Sequence, residues 1–312
     1  MSDQSVRALP GRAAELRAPA RARRHTTGRT AAVFLLPSLL GLLLFLVGPL
    51  LASLLLSFSN WQVIGETRFV GLANYVNLLS RDPIFWQILR VTFSYSVEYV
   101  VLNIALSLVM AVWINSLSWG RTFFRLVFFL PTFTPAVGTA IVWLLMLSPG
   151  GVADWVAAGL HLPVGNLLTT PAGALQALVA ITLWSHFGYN MLLFGSALDS
   201  IPAVYMDAAA IDGASAWRQF WAIRLPLISP SLFFGTVLTT ITSLQAFDQV
   251  YALTRGGPGS ATTTLGYAIY TQGFVNYRLG YASATAWLLF AIIMVLTAFQ
   301  LRLQRRWVHY DA

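Results

Sequence analysis

Residues 33–57 read VFLLPSLLGLLLFLVGPLLASLLLS, a run without a single charge. A hydrocarbon core about 30 Å thick needs about 20 apolar residues of helix to cross it, so this stretch is long enough to span a bilayer. Working outward from it, further apolar stretches of that length follow at approximately 91–115, 123–147, 173–196, 229–251 and 281–302. None alternates polar and apolar residues as a membrane strand must, and a lipid-exposed backbone has to satisfy its own hydrogen bonds. The expectation is an all-α integral membrane protein, a six-transmembrane-helix bundle. Composition agrees: the chain is 57% hydrophobic and 10% charged, where a water-soluble domain carries about 25% charge. The first stretch is too long for the core of a signal peptide and reads as an uncleaved anchor.

The charges that remain set an orientation. All 19 basic residues are arginine, and seven of them precede the first span. Basic residues collect on the inner side of a membrane. With both termini inside, fourteen arginines fall on that side and five (Arg68, Arg81, Arg90, Arg255, Arg278) on the other. Both termini are therefore expected in the cytoplasm, in a multi-pass protein of the cytoplasmic membrane. Nucleic acid, which a net charge of +8 would otherwise invite, does not fit arginines that flank spans. Residues 1–30 read as a disordered basic tail, although an organelle transit peptide shares that composition. Residues 31–304 form the six-span domain and 305–312 a short cytoplasmic tail. With no cysteine and no lysine, the chain has no thiolate metal site, no cysteine nucleophile and no ordinary phosphate-binding loop. Pro131 and Pro135 each remove a backbone donor, which predicts a kink in the third span.

The longest polar interruption on the inner side is 197–228, containing PAVYMDAAAIDGASAWRQFWAIRLPLISP at 202–230. Pro202 suits a first helical turn after Ser200 as cap, and alanines favour a helix over 203–212. Gly213 suits a left-handed stop. Ser215 then caps a second helix to about Ile223, which is expected to end before Pro226. A loop that only joined two spans would need no helices. Small residues beside acids, followed by Trp217, Phe220 and Trp221, make either a docking knob for a cytoplasmic partner or an amphipathic segment resting on lipid headgroups.

This stretch resembles the "EAA" loop of permease subunits from binding-protein-dependent ABC importers: Glu-Ala-Ala, three residues, Gly, nine residues, Ile-x-Leu-Pro. Here Asp207-Ala208-Ala209, Gly213 and Ile223-Arg224-Leu225-Pro226 keep every interval, with Asp207 in place of the usual Glu. FVGLANYVNLL (69–79), LTRGGPGSATTTLGYAIYTQGF (253–274) and YASATAWLLF (281–290) are similar to segments of the carbohydrate-type permeases, those of maltose and glycerol phosphate importers. The resemblance implies a non-catalytic permease working by alternating access. Its coupling loop, through Asp207, Ala208, Ala209, Asp212, Gly213, Trp217, Phe220, Ile223, Leu225 and Pro226, would seat in a separate ATPase dimer. ATP and Mg would be bound by that partner and no cofactor by this chain. A second, different permease and an extracytoplasmic solute-binding protein would complete the assembly.

Intramembrane charge is costly, so Glu98 and Asp248 stand out. Both fall near the outer ends of their spans, where hydration would also explain them. Asp248 and Gln245 lie three apart, on one helix face if the span is continuous. With Trp184 and Asn190 of the fourth span they offer the amides, carboxylate and ring that hold a sugar-like solute. Polar contacts between helices are the competing explanation. His186, without a second ligand at metal spacing, reads as a packing residue, and no nucleophile–base pair is apparent. The alternative overall reading, a self-sufficient secondary transporter or channel, would not need the cytoplasmic helix pair.

Overall fold

A computed structural model of the chain describes residues 23–61, 67–159, 167–305 and 308. Most of the N-terminal tail and of the C-terminal one lie outside the described residues. Regular structure among the described residues is helical, apart from one antiparallel bridge between Ser59 and Phe69. The chain divides into two compact units, Met1–Ser53 and Leu54–Ala312. Most of the first span belongs to the smaller unit. It forms α1 (Ala31–Ser57), with one π-helical turn at Leu43–Val47.

In the larger unit three uninterrupted helices are long and apolar enough to cross a membrane: α2 (Pro83–Ser116), α5 (Pro171–Asp199) and α10 (Leu279–Gln304). Two more crossings are bent pairs. Helix α3 (Arg121–Phe133) meets α4 (Ala136–Leu147) at 98°, and α7 (Ala216–Leu227) meets α8 (Ser229–Leu244) at 66°. The kink expected in the third span is thus a near right-angle break. Thr134 and Pro135 are both extended (ψ 133° and 131°), as a residue preceding proline and a helix start require. Threonine hydroxyls answer the groups freed there: Thr134 donates to the Pro131 carbonyl, and Thr139 donates to Thr134 at 2.9 Å.

The fifth span also departs from expectation. It does not run unbroken to 251, because α8 ends at Leu244 and the backbone leaves helical form over Gln245–Phe247 before a short helical segment resumes at Asp248. Thr264 donates to the Ala246 carbonyl at 2.6 Å. The short α9 (Leu265–Tyr270) comes so close that a Cβ on Gly266 would lie 2.7 Å from that same oxygen. Only a cavity wall or surrounding protein tolerates such an opened backbone at membrane depth.

Helices α2 and α5 form the spine. Ser107 donates to the Phe187 carbonyl at 2.8 Å, and the Asn190 amide reaches the Asn103 carbonyl oxygen at 2.6 Å. At Gly188 the α3 backbone lies so near that an added Cβ would overlap the Phe128 carbonyl. Three buried clusters fill the remaining space. One, around Phe187, Met191 and Phe194, surrounds the end of the spine nearest the polar loop. A second, with Tyr95, Tyr99, Leu178 and Val250, sits at the opposite end. The third joins Leu244, Leu265 and Leu289 of the last spans. Asp82 caps α2 by accepting from Ile84 N at 2.9 Å, and it also accepts the Tyr281 hydroxyl, which fastens α10 to the start of α2.

Candidate functional site: a helical knob and a cavity at broken spans

Two polar constructions adjoin α5, one beyond its C-terminal end and one beside its middle. The first is the helix pair at 203–227. Helix α6 (Ala203–Ile211) ends as the alanines and glycine predict. Gly213 takes φ +72°, Gly213 N donates to the Ala210 carbonyl at 3.1 Å, and Ala214 N donates to the Ala209 carbonyl at 2.9 Å. These paired bonds are a Schellman stop, which favours glycine at the left-handed position. Ser215 Oγ then accepts from Arg218 N at 3.3 Å and opens α7.

Two local expectations fail here. Ser200 does not cap α6: its hydroxyl turns back to the Ala197 carbonyl at 2.7 Å, and Pro202 occupies the N-cap. Nor does the second helix stop before Pro226. It continues to Leu227 because residues Phe220–Arg224 form a π turn. In that widened turn bonding skips five residues, so the proline ring is spared the crowding of a regular helix. The two helices are joined where Arg224 Nε reaches Met206 Sδ at 3.5 Å. At the foot of the knob Arg125 of α3 pairs with Asp199 at 2.7 Å.

The knob leaves apolar surface uncovered. Ile211 is 87% exposed, Trp217 72% and Trp221 51%, with the two indole rings edge-to-face at 5.5 Å. Asp207, Ala208, Asp212 and Gly213 are exposed beside them. Ala209 is buried, and Phe220, Ile223, Leu225 and Pro226 are half-buried on the side that continues into the bundle.

The second construction is a cavity of about 210 Å³ walled by Tyr95 and Tyr99 of α2, Thr182 and His186 of α5, and the opened segment Gln245–Gln249. A smaller one, about 30 Å³, lies against the break at Pro131–Ala136, and it also includes His186 and Gln249. The two interrupted spans therefore face each other across α5 at His186. Asp248, in the wall of the larger cavity, is the one carboxylate among the residues lining either, and no arginine is among them.

The sequence-derived candidates fare unequally. Gln245 and Asp248 both line the cavity, but not as neighbours on a helix face, since the break falls between them. Trp184 lines neither cavity and stands edge-on to Trp143 at 5.6 Å. Asn190 lies deeper, its amide nitrogen donating to Asn103 and to the Thr239 hydroxyl at 2.7 Å, so it serves as contact between α2, α5 and α8. His186 bonds the Thr182 carbonyl through Nδ1 at 3.1 Å, as a packing residue would, yet its ring is shared by both cavity walls. Among the described residues no group of three His, Asp or Glu side chains could hold a metal ion. Tyr95, Tyr99, Thr182 and Phe247 were not foreseen, while Gln249 belongs to the unusually polar run around Asp248. For Phe247 and Gln249 the one sequence signal is the density of polar residues in TTITSLQAFDQV (239–250), which an opened span explains better than a helix; Tyr95, Tyr99 and Thr182 lie on other spans.

Comparisons with known proteins agree with this architecture. Residues 103–309 match the family described as "Binding-protein-dependent transport system inner membrane component". The "Probable ABC transporter permease protein YesP" of Bacillus subtilis (strain 168) is 33% identical over 89% of this chain and 91% of its own length. The "Multiple sugar-binding transport system permease protein MsmF" of Streptococcus mutans serotype c is also 33% identical, over 88% of this chain and 94% of its own. In fold, a chain of a bacterial alginate ABC transporter, solved in complex with an alginate pentasaccharide-bound periplasmic protein, superposes with a TM-score of 0.81 at 22% identity, covering 90% of this chain and 96% of that one. The chain belongs to the binding-protein-dependent inner-membrane component family, as a multi-pass ABC transporter permease and not an enzyme.

Proposed function

We propose that this permease moves a sugar or a related polar solute across the cytoplasmic membrane by alternating access. A separate ATPase dimer, which binds the ATP and Mg, would drive it from the 207–226 knob. The observation that carries the reading is the knob itself: a stiff helix pair with Ile211, Trp217 and Trp221 uncovered, which fits a surface awaiting a protein partner. The sugar assignment is supported by the Streptococcus mutans relative, a permease of a multiple sugar-binding transport system, and by the cavity's amides, hydroxyls and single carboxylate. A second permease and an extracytoplasmic solute-binding protein complete the assembly, the latter supported by the periplasmic partner of the alginate transporter.

Driving a two-state equilibrium from 1:99 to 99:1 takes about 5.5 kcal/mol of differential binding. A stiff lever rooted directly in α5 and α8 delivers such a push where a floppy loop would dissipate it. The broken spans at His186 supply the joints where the solute path changes access.

The test is transport by parts. In vesicles the lone chain should carry no sugar uphill, and addition of the ATPase, second permease and binding protein should restore uptake. Concentrative uptake by the lone chain would overturn the reading in favour of a secondary transporter. Because the chain lacks cysteine, H25C and S260C variants report orientation directly. Position 25 should be labelled only from the cytoplasm and position 260 only from outside.

A further inference from the structure

Five aromatic rings lead away from the cavity, beginning with Phe247 in its wall. Phe247, a cavity-lining residue, stacks on Tyr251 at 5.5 Å between centroids and leans on Tyr270 at 5.2 Å. Tyr251 meets Tyr270 edge-on at 5.3 Å, and Tyr270 stacks on Phe274 at 5.8 Å. Tyr267 closes the group behind Phe247. Two short helical segments build the row. Phe247 and Tyr251 are four apart, with Tyr251 N donating to the Phe247 carbonyl at 2.8 Å. Tyr267, Tyr270 and Phe274 recur at helical spacing on α9 and its continuation, which puts them on one face.

Exposure rises within each stacked pair. Phe247 and Tyr270 are half-buried, while Tyr251 is 42% and Phe274 66% exposed. Each stacked pair thus ends in the more exposed ring. Rings that merely anchor a protein at the membrane surface sit as amphipathic belts at the headgroup level. These rings touch one another in sequence, and the innermost belongs to the cavity wall.

We propose that the row Phe247–Tyr251–Tyr270–Phe274 is a binding track for uncharged saccharides, which hands the solute to the Gln245–Asp248 ledge. The inference rests on the sugar-import reading and deepens it. A pyranose has an apolar C–H face that covers an aromatic ring, and hydroxyl edges that remain in water or meet tyrosine hydroxyls. The track needs no net charge on its ligand. The ledge disfavours a negative one, since Asp248 is the only charged-acid lining residue and no arginine is there to offset it.

The experiment uses the complete assembly in proteoliposomes, measuring uptake and ATP hydrolysis together. The probes are maltose, cellobiose, trehalose and sucrose, with glucuronate and glycerol 3-phosphate as acidic counterparts. Leucine at 251 or 274 keeps apolar bulk without a flat ring. Y251L and F274L should each lower saccharide uptake per ATP hydrolysed by about tenfold, the scale of a lost aromatic contact. Y251F and F274Y should retain it. If the leucine variants match the wild type, or if uptake and hydrolysis fall in proportion, the rings are anchors or packing and the track is overturned while sugar import stands. If the acidic probes are carried as well as the neutral ones, the restriction to uncharged ligands is overturned. If the wild-type assembly carries none of the saccharides, the sugar reading itself fails, and the track with it.

Discussion

The knob at 203–227 and the cavity at the broken spans are both polar interruptions of an apolar chain, but they are built in opposite ways. The knob is continuous in sequence and closes on its own backbone bonds, from the Schellman stop at Gly213 to the Ser215 cap. The cavity is assembled from three distant segments, and its opened backbone is held by a hydroxyl from elsewhere, Thr264. A self-contained element transmits force as a unit. A site held open by borrowed hydrogen bonds can rearrange when its lenders move.

The comparison breaks most visibly at Gly213. An added Cβ there meets nothing within 4 Å, so space is not the issue; φ is. G213V should abolish uptake while leaving hydrolysis by the assembled ATPase, because the left-handed conformation costs a side-chain-bearing residue about 1–2 kcal/mol and the second helix must swing to relieve it. G213N should keep most uptake, since Asn tolerates that conformation. Normal sugar uptake in G213V would show that the knob's shape is not what couples.

A smaller effect is expected at the loan itself. T264V removes the hydroxyl that satisfies Ala246 and leaves a buried carbonyl unpaired, at a cost of about 1–3 kcal/mol. It should lower the midpoint of thermal unfolding, whereas T263V, on the adjoining loop position, should lower it less. Equal shifts would mean the opened segment does not depend on Thr264.

Next in size is D248A, expected to reduce uptake several-fold, about 1 kcal/mol in transition-state terms, with D248N intermediate. Unchanged kinetics in a correctly assembled complex would remove Asp248 from the solute path. The smallest effect belongs to N190A, which loses interhelical bonds worth about 0.6 kcal/mol each in membranes. It should shift unfolding slightly without altering the ratio of uptake to hydrolysis. A change in that ratio would move Asn190 from spine contact to solute path.

The same contrast explains what was legible from the sequence. The spans, and the knob's stop and start at Gly213 and Ser215, were readable because each depends on residues adjacent in the chain. Pro131 and Pro135 announced a kink, though not its 98° extent. The break at Gln245–Phe247 was hidden, because it follows from the approach of Gly266 and Thr264, about twenty residues later. A periodicity argument for Gln245 and Asp248 assumes the helix that this approach undoes. Trp184 and Asn190 have suitable chemistry, and the structure places them away from the cavity lining, one beside Trp143 and the other within the α2–α5–α8 contact. His186 was read alone, and what distinguishes it is its position between two breaks, which local spacing does not encode.

The π turn at Phe220–Arg224 has a consequence for how this segment tolerates insertion and deletion. A π turn is a regular helix with one residue too many, and each residue of a regular helix advances the face by about 100°. Because the widened turn takes up its extra residue locally, deleting one residue between Phe220 and Arg224 would restore ordinary winding with Trp217 near its present face. A deletion in the regular helix before it would instead rotate Trp217 relative to Pro226 and α8 by roughly that angle. The π turn is thus the place where this segment can lose a residue and still hold the exposed tryptophans in phase with the span that follows.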